Sequence, residues 1–175
     1  MSGLKPAVFL DRDGTIIREY GHFWEPSKIQ LIPGAAGAVL RLKAAGFLAV
    51  LTENQFWVGQ RRLEGLLAEG GAKLDAVYFC PHHPTEGEPP YRGPCECRKP
   101  KPGMLLQGAR ECAIDLARSY MVGDSAVDVG AGIAAGVRTI RVETTYGIGI
   151  SAARLSELVE SQGHDGPAPD HKAPD

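Results

Sequence analysis

No stretch of this chain is apolar for long enough to span a bilayer, and Met1 is not followed by the charged-then-apolar run of an export signal. Both absences point away from the membrane and toward a cytoplasmic protein. Neither sign of charge is in excess. The 19 Lys and Arg stand against 21 Asp and Glu, for a net charge of −2 and a pI near 6.2, so no basic surface points to nucleic acid. Internal repeats are absent. Cysteine is scarce, with four in 175 residues. Without an export signal, metal binding or free thiols lead over disulfides. From Ser161 onward apolar residues almost vanish, and residues 161–175 are expected to be a disordered tail.

What is present is a 43% hydrophobic fraction, enough for one core in a single domain over residues 1–160. Short buried runs alternate with helical spacings. Strands are predicted at 7–10, 47–51, 74–79, 120–122 and 137–142. Helices are predicted from Pro33-Gly34 to Gly46, around Leu63–Leu67, over Met104–Leu116, over Val127–Ala135 and over Ala152–Val159. The order predicts an α/β fold, a Rossmann-like parallel sheet of about five strands with helices on both faces and no large cap domain. The polar residues of interest follow strand ends, which gather on one edge of such a sheet.

The first strand ends in Asp11-Arg12-Asp13-Gly14-Thr15. Alternation aims Asp11 and Asp13 into one small volume, where like charges raise each other's pKa unless a cation joins them. Mg²⁺, an oxygen-loving ion that keeps several waters, suits such a pair. A solvated turn after a strand is the plainer alternative. Residues 80–102 form a long Pro- and Cys-rich loop carrying Cys80-Pro81-His82-His83 and Cys95-Glu96-Cys97. Cys80, His82, Cys95 and Cys97 offer four ligands for a closed tetrahedral Zn²⁺ site, with His83 as the alternative to His82. Such a site would tie down a loop too polar to pack itself. Cys112 is predicted as a small core residue in mid-helix.

The Asp11–Thr15 segment resembles the first motif of the haloacid dehalogenase (HAD) superfamily of phosphohydrolases. The resemblance implies Asp11 as nucleophile, forming an aspartyl-phosphate, and Asp13 as general acid and base. Met121-Val122-Gly123-Asp124, with Asp128 four residues on, resembles the acidic last motif. Asp124 then becomes an Mg²⁺ ligand alongside Asp11 and the Asp13 carbonyl; a helix N-cap is the other role open to it. Arg98-Lys99-Pro100 resembles the basic motif, with Lys99 neutralising nucleophile and phosphate and Arg98 contacting substrate. Together with the Cys-rich loop, these motifs resemble the D-glycero-D-manno-heptose 1,7-bisphosphate phosphatases, whose near relatives are the histidinol-phosphate phosphatases. The implied function is Mg²⁺-dependent removal of a sugar phosphate, on a route to lipopolysaccharide, by a monomer whose partner is its small substrate.

One motif departs from the pattern. The family has T-N-Q-S-G after the second strand, and this chain has Thr52-Glu53-Asn54-Gln55-Phe56-Trp57. Ungapped, Glu53 replaces the phosphate-binding Thr. A carboxylate about 4 Å from a phosphate costs on the order of several kcal/mol at an effective dielectric near 20. Thr52 serves as the phosphate ligand if the strand slips by one, and Asn54 is expected to touch substrate. Otherwise Glu53 turns aside, the nearby cations offset it, or the chain is a weakened, binding-only homologue. The loop at 21–25 is expected to wall the pocket.

Overall fold

The computed structural model describes residues 3–18, 25–55, 59–142 and 171–172. Its centre is β1 (Ala7–Leu10), four residues with almost no solvent exposure. α1 (Ala35–Ala44), β2 (Leu48–Glu53), α2 (Gln60–Glu69) and β3 (Ala76–Phe79) follow. Then come α3 (Gly103–Glu111), β4 (Tyr120–Gly123), α4 (Ala126–Ala135), β5 (Arg138–Arg141) and β6 (His171–Lys172). The sheet is parallel throughout, in the order β3-β2-β1-β4-β5-β6. The reversal of direction on either side of β1 is the topological switch point at which such sheets bind ligands.

Period-two alternation builds two cores from one strand set. Val8, Leu10, Ala49 and Leu51 face α1 and α2, meeting Val39, Leu42, Leu63 and Leu67. Ala7, Phe9, Val50 and Met121 face the other way, onto Met104, Leu105, Ala131 and Ala135 of α3 and α4. Burial on both faces is why β1 and β2 read as continuous apolar runs rather than alternating ones. The fold is therefore the α/β sheet expected, without a large cap among the described residues.

Two boundaries differ from the sequence reading. α3 ends at Glu111 rather than reaching Leu116, because Ala113 enters the left-handed region at φ 51°. The chain then pairs with the lead-in to β1, Lys5 N donating to Ala113 O and Asp115 N to Lys5 O. Cys112 thus caps α3 instead of lying mid-helix. It is half-buried, 3.6 Å from the Tyr78 hydroxyl. The sheet also gains β6, two residues inside the segment expected to be disordered. The helix expected at 152–159 and most of the 21–25 loop lie outside the described residues. No helix among the described residues is long and apolar enough to cross a membrane.

Candidate active site and metal centres

The carboxyl ends of β1, β2 and β4 open into a cleft. Asp11, Asp13, Glu53, Asn54, Lys99, Asp124, Ser125, Val127 and Asp128 line it. Asp11 extends β1 by one rung, its N–H donating to Val122 O at 2.9 Å. Gly14, at φ 68°, then folds the chain back so that the N–H groups of Thr15, Ile16 and Ile17 all reach the Arg12 carbonyl. This hairpin holds Asp13 at the cleft.

Lys99 is the hub. Its side chain is almost wholly buried, and Nζ lies 2.6 Å from Asp11 Oδ1, 2.6 Å from Asp128 Oδ1 and 2.9 Å from the Thr52 carbonyl oxygen. Burial opposes its charge, but Asp11, Asp128 and Glu53 more than offset that and hold the ammonium above its ordinary pKa. Burial pushes the Asp11 carboxyl well up, against the pull of Lys99. Asp128 is fixed from both sides. Its Oδ2 accepts hydrogen bonds from the Ser125 N–H and hydroxyl in a capping box, while Oδ1 meets Lys99. Gly123 is needed beside it, because a Cβ there would overlap the Asp128 side chain.

Asp11, Asp124 and Asp128 each offer an oxygen within 4.8 Å of the others. Asp128 is committed to Lys99 and Ser125, which leaves Asp11 and Asp124 as the carboxylates apt for Mg²⁺. Including Asp13 and Glu53, five carboxylates face the cations Lys99 and Arg12. That imbalance suits a divalent ion.

The second cluster closes as well. Cys80, His82, Cys95 and Cys97 converge, with sulfur–sulfur distances of 2.9, 3.4 and 3.5 Å and His82 Nδ1 at 3.5 and 3.8 Å from Cys97 and Cys80. Tetrahedral zinc with bonds of about 2.3 Å to sulfur sets edges of about 3.8 Å, so the donor set fits that ion. His83 is elsewhere, its Nδ1 accepting the Thr85 and Glu86 N–H groups. Of the two histidines, His82 is the one whose ring joins the cluster.

Three expectations are revised. Thr52 does not present its hydroxyl to the cleft. It is fully buried, with Oγ1 3.8 Å from Met121 Sδ. The strand has not slipped, since Glu53 pairs with Phe79 in register, and Glu53 occupies the cleft wall. Asn54 lines the cleft, but its amide is used on the main chain of Lys99, accepting from N at 2.7 Å and donating to O at 3.1 Å. Arg98 Nη1 donates to the Asn54 and His82 carbonyls at 2.8 and 2.9 Å. These bonds tie the zinc-type loop to β2, and Arg98 does not line the cleft.

Arg12 was not singled out from sequence. Alternation would turn it away from Asp11 and Asp13, yet it is buried at 7% exposure, with Nη2 on Asp13 Oδ2 and Nε 3.4 Å from Glu53 Oε2. A charged residue flanked by acids within a turn was the available signal. Burial raises the Glu53 carboxyl, with Arg12 and Lys99 pulling it back.

A family model described as HAD-hydrolase-like matches residues 96–163. A protein of Photorhabdus laumondii named D-glycero-beta-D-manno-heptose-1,7-bisphosphate 7-phosphatase is 38% identical over 88% of this chain and 89% of its own. One of the same name from Yersinia pestis is 44% identical over 77% of this chain and 78% of its own. The crystal structure of D,D-heptose 1,7-bisphosphate phosphatase from B. bronchiseptica, complexed with magnesium and phosphate, superposes with a TM-score of 0.72. It is 29% identical and covers 98% of this chain and 93% of that one.

Proposed function

Since the chain belongs to the HAD-like hydrolases, in the family of the heptose-1,7-bisphosphate 7-phosphatases, we propose that it removes the 7-phosphate of D-glycero-D-manno-heptose 1,7-bisphosphate. It is a phosphoric monoester hydrolase. The observation that supports the mechanism is the contact of a buried lysine with the proposed nucleophile, Lys99 Nζ to Asp11 Oδ1 at 2.6 Å.

Asp11 attacks the phosphorus in line, its second oxygen forming the new bond while Lys99 holds the first. Asp13 gives a proton to the leaving sugar oxygen, then takes one from the water that hydrolyses the aspartyl-phosphate. Asp11, Asp124 and the Asp13 carbonyl would hold Mg²⁺, which when bound neutralises charge on the phosphoryl oxygens. Asn54 and Arg98 serve the reaction by fixing Lys99. Cys80, His82, Cys95 and Cys97 would hold Zn²⁺ in a structural role, anchoring the loop that delivers Lys99. A cytoplasmic monomer acting on a small substrate fits this reading.

The test is side-by-side turnover of the β-anomer of the heptose bisphosphate and of histidinol phosphate in Mg²⁺. The expected result is a kcat/KM for the heptose substrate higher by about tenfold or more. The reverse preference would move the chain to histidinol-phosphate chemistry, and turnover of neither would refute both.

A further inference from the structure

Lys99 and Arg12 are already set against carboxylates, Lys99 against Asp11 and Asp128 and Arg12 against Asp13. A bisphosphate brings two phosphates, and the sugar between them carries the second away from Asp11 to the rim of the cleft. On the β2 side the wall is the carboxylate of Glu53, which repels a second phosphate. The β4 side differs. Arg141 ends β5 on the sheet edge that carries the site, in register with Gly123, the residue before Asp124. Its side chain is exposed, and Nε donates to the Asp124 carbonyl at 3.2 Å. Asp124 itself lines the cleft, with a carboxylate oxygen within 4.8 Å of one of Asp11. The register position beside Arg141 on β6 is also basic, Lys172.

We propose that Arg141 binds the phosphate that is not cleaved, and so fixes which end of the bisphosphate meets Asp11. The inference rests on the heptose-bisphosphate reading above. A guanidinium is a planar fork, so a bond at Nε sets the direction of the rest. The far end of the Arg141 fork, Nη1 and Nη2, makes no hydrogen bond among the described residues. That end matches two oxygens of a phosphate. Arg98 does not offer the same surface, because its Nη1 is taken by the Asn54 and His82 carbonyls. Lys101, also near the loop end, is held by Glu96 at 2.6 Å. A phosphate seated on Arg141 turns the other end of the sugar toward Asp11, and the rim phosphate stays on the product. Arg141 is exposed, so its attraction acts through water and is screened by salt. It selects the substrate and takes no part in the chemical step.

The experiment compares heptose 1,7-bisphosphate with heptose 7-phosphate, which lacks only the second phosphate, in Mg²⁺ at low ionic strength. Wild type is expected to favour the bisphosphate in kcat/KM. Arg141→Ala is expected to cut that ratio by about tenfold or more, with the loss in KM rather than kcat. Added salt should bring the wild-type ratio down toward that of the variant. Arg141→Lys keeps the charge without the fork, and its ratio is expected to fall between the two. An Arg141→Ala ratio equal to that of wild type overturns the proposal. So does an equal fall on both substrates, which would mean that Arg141 acts on Asp124 instead. If Arg141→Ala does not fold, Arg141→Gln decides by the same ratio, since its amide can still reach the Asp124 carbonyl. A wild type that cleaves both substrates with the same kcat/KM overturns this proposal alone, whereas one that cleaves neither refutes the heptose reading and this proposal with it.

Discussion

Asn54 uses both ends of its amide on one neighbour, the main chain of Lys99, and so positions that lysine without touching its ammonium group. Asn54→Ala should therefore cost about 1–3 kcal/mol of stability, since it leaves partly buried main-chain groups unpaired. Urea denaturation measures this. It should also lower kcat, and a variant that lost stability with kcat intact would show that Lys99 is held by other means. The contrast with Thr52 shows what sequence reveals at this scale. The structure brings Asp11, Asp13, Lys99 and Asp124, all singled out from sequence, to one cleft: Asp11, Asp13 and Asp124 follow strand ends, and Lys99 stands at the end of the long loop before α3. Thr52 would serve as a phosphate ligand only if the strand slipped by one, and the register shows no slip. Thr52 shares parity with Val50, on the face toward α3 and α4, and its hydroxyl meets Met121. Counting from Val50 would have placed it. The Arg12 bridge was not legible, because the turn at Gly14 ends alternation just where that residue lies.

The loop between β3 and α3 is the element on which Lys99 depends. It has little apolar content to pack, and four donors converge within it. It also lies tight against α3, since a Cβ on Gly103 would overlap the Glu96 carbonyl. Metal removal by a strong chelator, or Cys95→Ser, should lower Tm by roughly 5–10 °C, taking a loss of about 3 kcal/mol for a chain of this size. Phosphatase activity should fall with it, because Arg98 carries the disturbance from the His82 carbonyl to Asn54. Metal analysis of the purified protein should give one zinc per chain, and a metal-free protein with unchanged Tm would contradict the structural role. Spacing of Cys and His made the cluster legible, but not which histidine joins it. That depends on the His83 ring being engaged by two N–H groups of its own turn.

For the whole molecule, one strand set supports two cores and one active edge. Phe9 sits fully buried on β1 between the cleft-forming strands and packs on the α3–α4 side. Phe9→Ala should cost about 3–5 kcal/mol in urea denaturation, and a loss under about 1 kcal/mol would show that the core there can collapse or is less tightly packed. The order of strands and helices was legible from hydrophobic periodicity, since alternating elements admit few arrangements. The end of α3 was not, because the pairing of Lys5 with Ala113 and Asp115 is a long-range event that local spacing does not encode. The central claim is that Asp11 attacks phosphorus with Mg²⁺ and Lys99 in support. Phosphate release from heptose 1,7-bisphosphate, followed across an Mg²⁺ titration for wild type and Asp11→Asn, tests it most directly. The expected result is release that saturates with Mg²⁺ and vanishes with chelator in wild type, and a variant that folds but releases none. Metal-independent release, or an Asp11→Asn protein near wild-type rate, would contradict it.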